Sequence, residues 1–197
     1  PKLEARAVQE LALRRGESVL EIGTGSGYLT ALMASLAGHV TSVEIHADLA
    51  GEARAKLAAA ALDNVEVRVG DGARGFGSEA YDAIVLTGST PVLHEAFCKQ
   101  LKPGGRVFAI VGDAPAMTAR LYRWTAPGAC VVTRLFETVV KPLVNALYLK
   151  ASWMLPFRDR QDGPFTTADG TVVTAPMMRA PMPARSSADT EPTLPKP

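Results

Sequence analysis

Val19-Leu20-Glu21-Ile22-Gly23-Thr24-Gly25-Ser26-Gly27-Tyr28 decides how this chain is read. A short apolar run, consistent with a buried strand, meets three glycines at alternate positions. Leu29, Leu32, Met33 and Leu36 follow at helical spacing. Glycine admits positive φ and lets a ligand approach the backbone, and the next helix offers unpaired N–H groups to an anion. Glu44 ends the following apolar run, Val40-Thr41-Ser42-Val43, seventeen residues after Gly27. A carboxylate at that place accepts both hydroxyls of a ribose. The pattern predicts a site for a nucleoside-bearing cofactor.

The spacing narrows the choice. A dinucleotide fingerprint is G-x-G-x-x-G, with its third glycine packing helix against strand beside a pyrophosphate. Here Tyr28 holds that position and the spacing is G-x-G-x-G. Glu21, two places before the first glycine, would repel a pyrophosphate but suits a ligand carrying an ammonium and a sulfonium. S-adenosylmethionine carries both, with a carboxylate for the helix N-terminus. The E-I-G-T-G-S-G form therefore favours a methyl donor over NAD.

At 197 residues there is room for one full domain and some excess. A hydrophobic content of 47% with 21% charged residues predicts a soluble globular protein, and a net charge of +1 argues against a nucleic-acid or membrane partner. No window reaches the ~18 apolar residues of a membrane span. Residues 1–15 alternate charged and apolar types like a surface helix rather than a secretory leader, and the first residue is not Met, so the chain is expected to begin within a longer product or after processing. Cys98 and Cys130 make no metal-ligand spacing and read as small core hydrophobes, which favours a reducing, cytoplasmic setting.

Along the chain, helical spacing covers 3–14 with Gly16 as its C-cap. Strand 18–22, helix 27–37, strand 40–44, an Ala-rich helix over 46–62 and a strand at 65–69 follow. A glycine-bearing loop, 72–80, leads to strand 81–86, helix 92–101 and strand 106–111. This alternation predicts an α/β fold, a doubly wound, mostly parallel sheet with helices on both faces. Two β-like runs, 116–124 and 130–137, flank Pro127-Gly128, which suits a type II turn, and read as an antiparallel C-terminal hairpin at one sheet edge. The domain is thus assigned to 1–149. Eight of the fourteen prolines lie between Tyr148 and Pro197, so 150–197 reads as a Pro-rich tail, disordered at least after 175, with local docking of Trp153, Met154, Leu155 and Phe157.

Further site candidates sit at carboxyl ends of strands, where open α/β sheets bind ligands. Asp71, within Gly70-Asp71-Gly72, is placed within reach of an adenine amino group. Thr87 and Ser89, after the fourth strand, are candidates to border the reacting methyl, while Thr90 reads as an N-cap with Pro91 at the first helical position. His39, His46 and His94 suit solvated or core-edge roles, and Asp82 a structural one. No Ser-His-Asp, paired-carboxylate or metal constellation can be assembled. A carboxylate methyl acceptor is ionised at neutral pH and needs no general base.

Pro1-x-x-x-Ala5-Arg6, V-L-E-I-G-T-G-S-G-Y, V-E at 43–44, N-V at 64–65, G-D-G at 70–72, Y-D-A-I at 81–84, L-K-P-G-G-R at 101–106 and L-F-E-T-V-V-K-P-L at 135–143 together resemble the protein-L-isoaspartate O-methyltransferase family. The resemblance covers about residues 1–147 and implies a Rossmann-like methyltransferase. Such enzymes transfer a methyl group from S-adenosylmethionine to the α-carboxylate of an L-isoaspartyl residue; the ester collapses to a succinimide that can hydrolyse to aspartyl, repairing damaged protein. By position, Gly23, Thr24, Gly25, Ser26, Gly27, Glu44 and Asp71 would hold the cofactor, with Glu21, Ile45 and Gly72 beside them. Thr87 and Ser89 would border the methyl group, and Pro142-Leu143 would line the peptide groove. Isoaspartyl-containing peptides or proteins would be the partners.

Two departures accompany the resemblance. Family members carry an I-S-x-P-type motif before the position of Pro1, with a hydroxyl at the acceptor carboxylate, and that position lies outside this sequence. Lys141 stands where the family usually has Val. Methylation of a small molecule or RNA, and a module that binds S-adenosylmethionine without turnover, remain alternative readings. NAD chemistry is disfavoured by Tyr28 and Glu21.

Overall fold

The computed structural model describes residues 2–143, 159–166 and 172–179. The chain divides into two units, residues 1–150 and 151–197. In the first, helix α1 (Lys2–Leu11) precedes strand β1 (Ser18–Ile22), helix α2 (Tyr28–Ala34), strand β2 (His39–Glu44), helix α3 (Ala47–Ala59) and strand β3 (Val65–Val69). Strand β4 (Tyr81–Thr90), helix α4 (Ala96–Lys99) and strands β5 (Leu101–Val111), β6 (Thr118–Ala126) and β7 (Ala129–Glu137) complete it. The seven strands lie in the order β3-β2-β1-β4-β5-β6-β7. Pairing is parallel from β3 through β5 and antiparallel between β5 and β6 and between β6 and β7. The expected doubly wound sheet and its edge hairpin are both present.

β1 is central, and its alternation divides the core. Val19 joins the apolar layer of Ala7, Leu11, Leu29 and Met33 from α1 and α2. Leu20 and Ile22 join the opposite layer, with Phe97 of α4, Tyr81 and Val107. Val19, Leu20, Met33 and Ile84 are fully inaccessible, each stabilising the fold by roughly 1.5–3 kcal/mol. The strand order reverses between β1 and β4, so the crevice of the sheet opens beyond Ile22 and Leu86.

Several boundaries depart from the sequence reading. α1 stops at Leu11 because Ala12 turns left-handed, at φ 47°. Gly16 is therefore no C-cap; its backbone instead packs against Gly38, whose added Cβ would stand 2.7 Å from the Gly16 Cα. α4 spans four residues, not ten. The Tyr81 N–H donates to the Gln100 carbonyl at 2.8 Å and Leu101 pairs with Tyr81, which draws the chain into β5 early. Val92, 75% exposed, finds no core to support a longer helix. Thr90 accordingly caps nothing: its hydroxyl donates to the Val92 carbonyl at 2.9 Å, and β4 runs on to it by pairing with Val111 after a bulge. At the turn between β6 and β7, Gly128 has φ 75°, as position i+2 of a type II turn requires.

The two cysteines are also corrected. Cys98 and Cys130 form a disulfide joining α4 to β7, with Cα atoms 6.2 Å apart. The sheet folds residues distant in sequence against each other, which spacing alone did not reveal. This removes the observation on which a cytoplasmic setting rested.

In the second unit, strands β8 (Asp159–Thr166) and β9 (Val172–Arg179) pair antiparallel, Asp159 opposite Arg179. The sequence reading assigned no strands there. The suggested docking of Trp153, Met154, Leu155 and Phe157 lies outside the described residues.

Candidate functional site

The strand–turn–helix over residues 18–34 builds the site. Gly23 follows β1 with φ 97°, its N–H donating to the Val43 carbonyl at 2.8 Å. A Cβ there would overlap the Thr87 hydroxyl, so only glycine fits between β1 and β4. Gly25 (φ 53°) forms the crest, where an added Cβ would meet nothing within 4 Å. Ser26 continues the turn, and Gly27 closes it by donating to the Thr24 carbonyl at 2.9 Å. α2 begins at once, presenting its amino end to the crevice.

Glu44 ends β2 against this crest. Its Oε2 accepts the Gly25 N–H at 2.9 Å and its Oε1 accepts the His46 N–H at 3.1 Å. Two backbone donors thus fix the orientation of the carboxylate. Ile45 beside it is 52% exposed, an apolar surface next to the turn. The Gly70 N–H donates to the Glu44 carbonyl at 2.9 Å, which brings Asp71 alongside. Asp71 is exposed, and its Oδ1 accepts the Ala73 N–H at 2.9 Å. Gly72 packs close to the Ile22 side chain. The structure therefore gathers Gly23 to Gly27, Glu44, Ile45, Asp71 and Gly72 at one sheet edge.

Glu21 is placed differently from the sequence expectation. It is completely buried beneath the turn, not on its surface. Its Oε2 accepts hydrogen bonds from Thr30 and, at 2.6 Å, from Ser42. With that Ser42 proton committed, Thr24 donates to the Ser42 oxygen at 2.6 Å. The hydroxyl chain ties β1, β2, the glycine turn and α2 into one unit. Burial raises the Glu21 carboxyl from its ordinary 4.5 to about 7, against the lowering effect of the Ser42 and Thr30 bonds. Ser42 and Thr30 were missed as site residues. The available signal was a hydroxyl inside an apolar strand, set opposite Glu21 in the β1–β2 register.

Thr87 and Ser89 reach the same edge, each engaged with backbone. The Thr87 hydroxyl lies 3.0 Å from the Ile22 carbonyl and 2.9 Å from the Gly23 carbonyl. Ser89 is buried; its N–H donates to the Lys141 carbonyl at 2.9 Å, and it bridges Pro142. Leu143 crosses directly over Gly88, where a Cβ would stand 2.6 Å from the Leu143 Cα. Pro142 and Leu143 thus flank the crevice, and exposed Lys141 precedes them. Asp82 lies at the opposite end of the strands, accepting from the Ser18 N–H and Lys102 at 2.8 Å each. His39, His46 and His94 are exposed.

A doubly wound sheet in this strand order, with a glycine turn after β1, an acid after β2 and an antiparallel edge hairpin, defines the Rossmann-like methyltransferase class. Within that class the relationships are specific. The profile of the protein-L-isoaspartate(D-aspartate) O-methyltransferase family matches residues 1–147, and the chain belongs to this family. The chain is 39% identical over 149 residues to the protein-L-isoaspartate O-methyltransferase of Ignicoccus hospitalis, covering 74% of this chain and 71% of the relative. Identity to the Methanoculleus marisnigri protein of the same name is 48% over 113 residues, covering 57% and 51%. A solved protein-L-isoaspartate O-methyltransferase superposes with a TM-score of 0.67 at 30% identity, over 72% of this chain and 46% of that one. A Plasmodium falciparum structure described as a candidate member, in complex with S-adenosyl-L-homocysteine, superposes with a TM-score of 0.62 at 21% identity, covering 73% of each chain. The chain therefore spans about half to seven-tenths of the relatives named.

Proposed function

We propose that this chain binds S-adenosylmethionine at the glycine turn and methylates the α-carboxylate of L-isoaspartyl residues in damaged proteins. One observation carries the reading: the Gly25 N–H seats the Glu44 carboxylate against a crest whose outer side has room for a ligand. The donor set fits the cofactor. Glu44 would accept ribose hydroxyls, Ile45 would lie against the adenine and Asp71 would take its amino group. The amino end of α2 would receive the amino-acid carboxylate.

When bound, S-adenosylmethionine supplies a methyl group activated by a sulfonium. The protein holds the acceptor beside it. An isoaspartyl α-carboxylate is ionised at neutral pH, so no side chain has to remove a proton and catalysis rests on alignment. Thr87 and Ser89 would serve that alignment indirectly, Thr87 by bracing the Gly23 turn and Ser89 by fixing the segment that carries Pro142 and Leu143. These two residues would line the groove for the substrate peptide.

The test is radiolabelled methyl transfer from S-adenosylmethionine to an isoaspartyl peptide, with its aspartyl isomer as control. Base-labile label on the isoaspartyl peptide alone is the expected result. Cofactor binding without label on either peptide would overturn the substrate assignment and leave a binding module.

A further inference from the structure

Gln100, which caps the C-terminal end of α4, carries no motif that marks it for function. Its carboxamide nevertheless makes three hydrogen bonds to one loop. Oε1 accepts the Phe76 N–H at 3.1 Å, and Nε2 donates to the Phe76 carbonyl at 2.9 Å and the Gly77 carbonyl at 3.0 Å. The side chain thus pairs with Phe76 as a neighbouring strand would. Its own backbone is fixed as well: the N–H donates to the Ala96 carbonyl at 2.9 Å, and the carbonyl accepts the Tyr81 N–H at 2.8 Å. The disulfide at Cys98 anchors the same short helix to β7.

The clamped loop leads back to the cofactor site. The Phe76 ring lies over Gly70, where an added Cβ would stand 2.6 Å from the ring. Gly72 abuts Ile22 of β1, and Gly70 is bonded to Glu44. Between these tight contacts Asp71 is exposed, its Oδ1 accepting the Ala73 N–H at 2.9 Å. The loop is therefore held by Glu44, by Ile22 and by Gln100, and near its end Glu79 accepts from the Tyr81 hydroxyl at 2.9 Å. Gln100 is the clamp that reaches Phe76, the residue packed on Gly70.

We infer that Gln100 is a positioning residue for the adenine end of the cofactor site, holding Asp71 in register with Glu44 through Phe76. The inference rests on the S-adenosylmethionine reading above. Its signature is selective: loss of the clamp weakens recognition of the adenine amino group and leaves the rest of the site intact.

The test is calorimetry on the full chain with S-adenosylhomocysteine and with S-inosylhomocysteine, in which a carbonyl replaces the adenine amino group. The unaltered protein prefers the adenine compound. Gln100→Ala and the isosteric Gln100→Glu, which faces two carbonyls with a carboxylate, weaken the adenine compound about tenfold and the inosine compound little. A folded variant with unchanged affinities, or with equal losses for both compounds, would overturn the positioning role. If neither variant folds, amide exchange in the unaltered protein decides. Protection at Phe76 that rises with S-adenosylhomocysteine supports the clamp, and no protection there refutes it. Failure of the unaltered protein to bind S-adenosylhomocysteine would instead defeat the cofactor reading itself.

Discussion

The Thr87 hydroxyl donates to the Gly23 carbonyl at 2.9 Å, across the boundary where the strand order reverses. This contact braces the glycine turn against β4, and it leaves no space for a side chain at Gly23. Gly23→Ala combines that overlap with a φ of 97°. A loss of about 1–3 kcal/mol from backbone conformation alone is expected, together with weaker S-adenosylhomocysteine binding. Thermal melting checks this. Adding Thr87→Ala relieves the overlap but not the backbone cost, so the double variant recovers only part of the loss. An unchanged melting temperature in Gly23→Ala would contradict the packing described.

Glu44→Ala removes the proposed acceptor for the ribose hydroxyls and the partner of the Gly25 N–H. Binding of S-adenosylhomocysteine weakens by ~1–3 kcal/mol, from loss of charge-assisted hydrogen bonds. Isothermal calorimetry measures this. An unaltered Kd would remove Glu44 from the site.

Glu21 gives the fold a pH dependence. Its folded-state carboxyl stands near 7 because of burial, above its ordinary 4.5. The folded chain holds this proton more tightly than the unfolded chain. Its contribution to stability is complete below 4.5, declines as pH rises, and is lost once pH passes about 7, a span of about 3 kcal/mol. The native protein therefore melts lower at pH 8 than at pH 5, and Glu21→Gln flattens that slope. Equal slopes in the two proteins would show that Glu21 is not the responsible group.

The Cys98–Cys130 disulfide closes a loop across 32 positions. Such a closure stabilises a fold by about 2–4 kcal/mol. Dithiothreitol should lower the melting temperature by several degrees. Thiol titration of the denatured, unreduced chain should find no reactive cysteine. Two reactive thiols would mean that the pair is not oxidised.

The fold around the candidate cofactor site was legible because its determinants are local. A buried strand, a glycine turn and a helix start follow one another directly over residues 18–28, Glu44 ends β2, and Asp71 falls just past the end of β3, both strands having plain patterns. What escaped depends on contacts between distant segments. α4 is short because Tyr81 captures Gln100 and Leu101 for the sheet, which helical spacing in 92–101 does not record. The disulfide needed the fold to bring α4 to β7. Glu21 looked like a ligand group because its position is adjacent to the turn, yet the alternation of β1 points it into the core layer of Val19, where Ser42 and Thr30 receive it. Thr87 and Ser89 were placed at the correct edge, but their backbone partners, Gly23 and Lys141, lie more than fifty residues away.

The most direct test of the cofactor site is a crystal structure of the chain grown with S-adenosylhomocysteine. The account predicts ribose hydroxyls within hydrogen-bonding distance of the Glu44 carboxylate, with the adenine between Ile45 and Asp71. A nucleoside lodged elsewhere, with the Gly23–Gly27 turn untouched by it, would contradict the account.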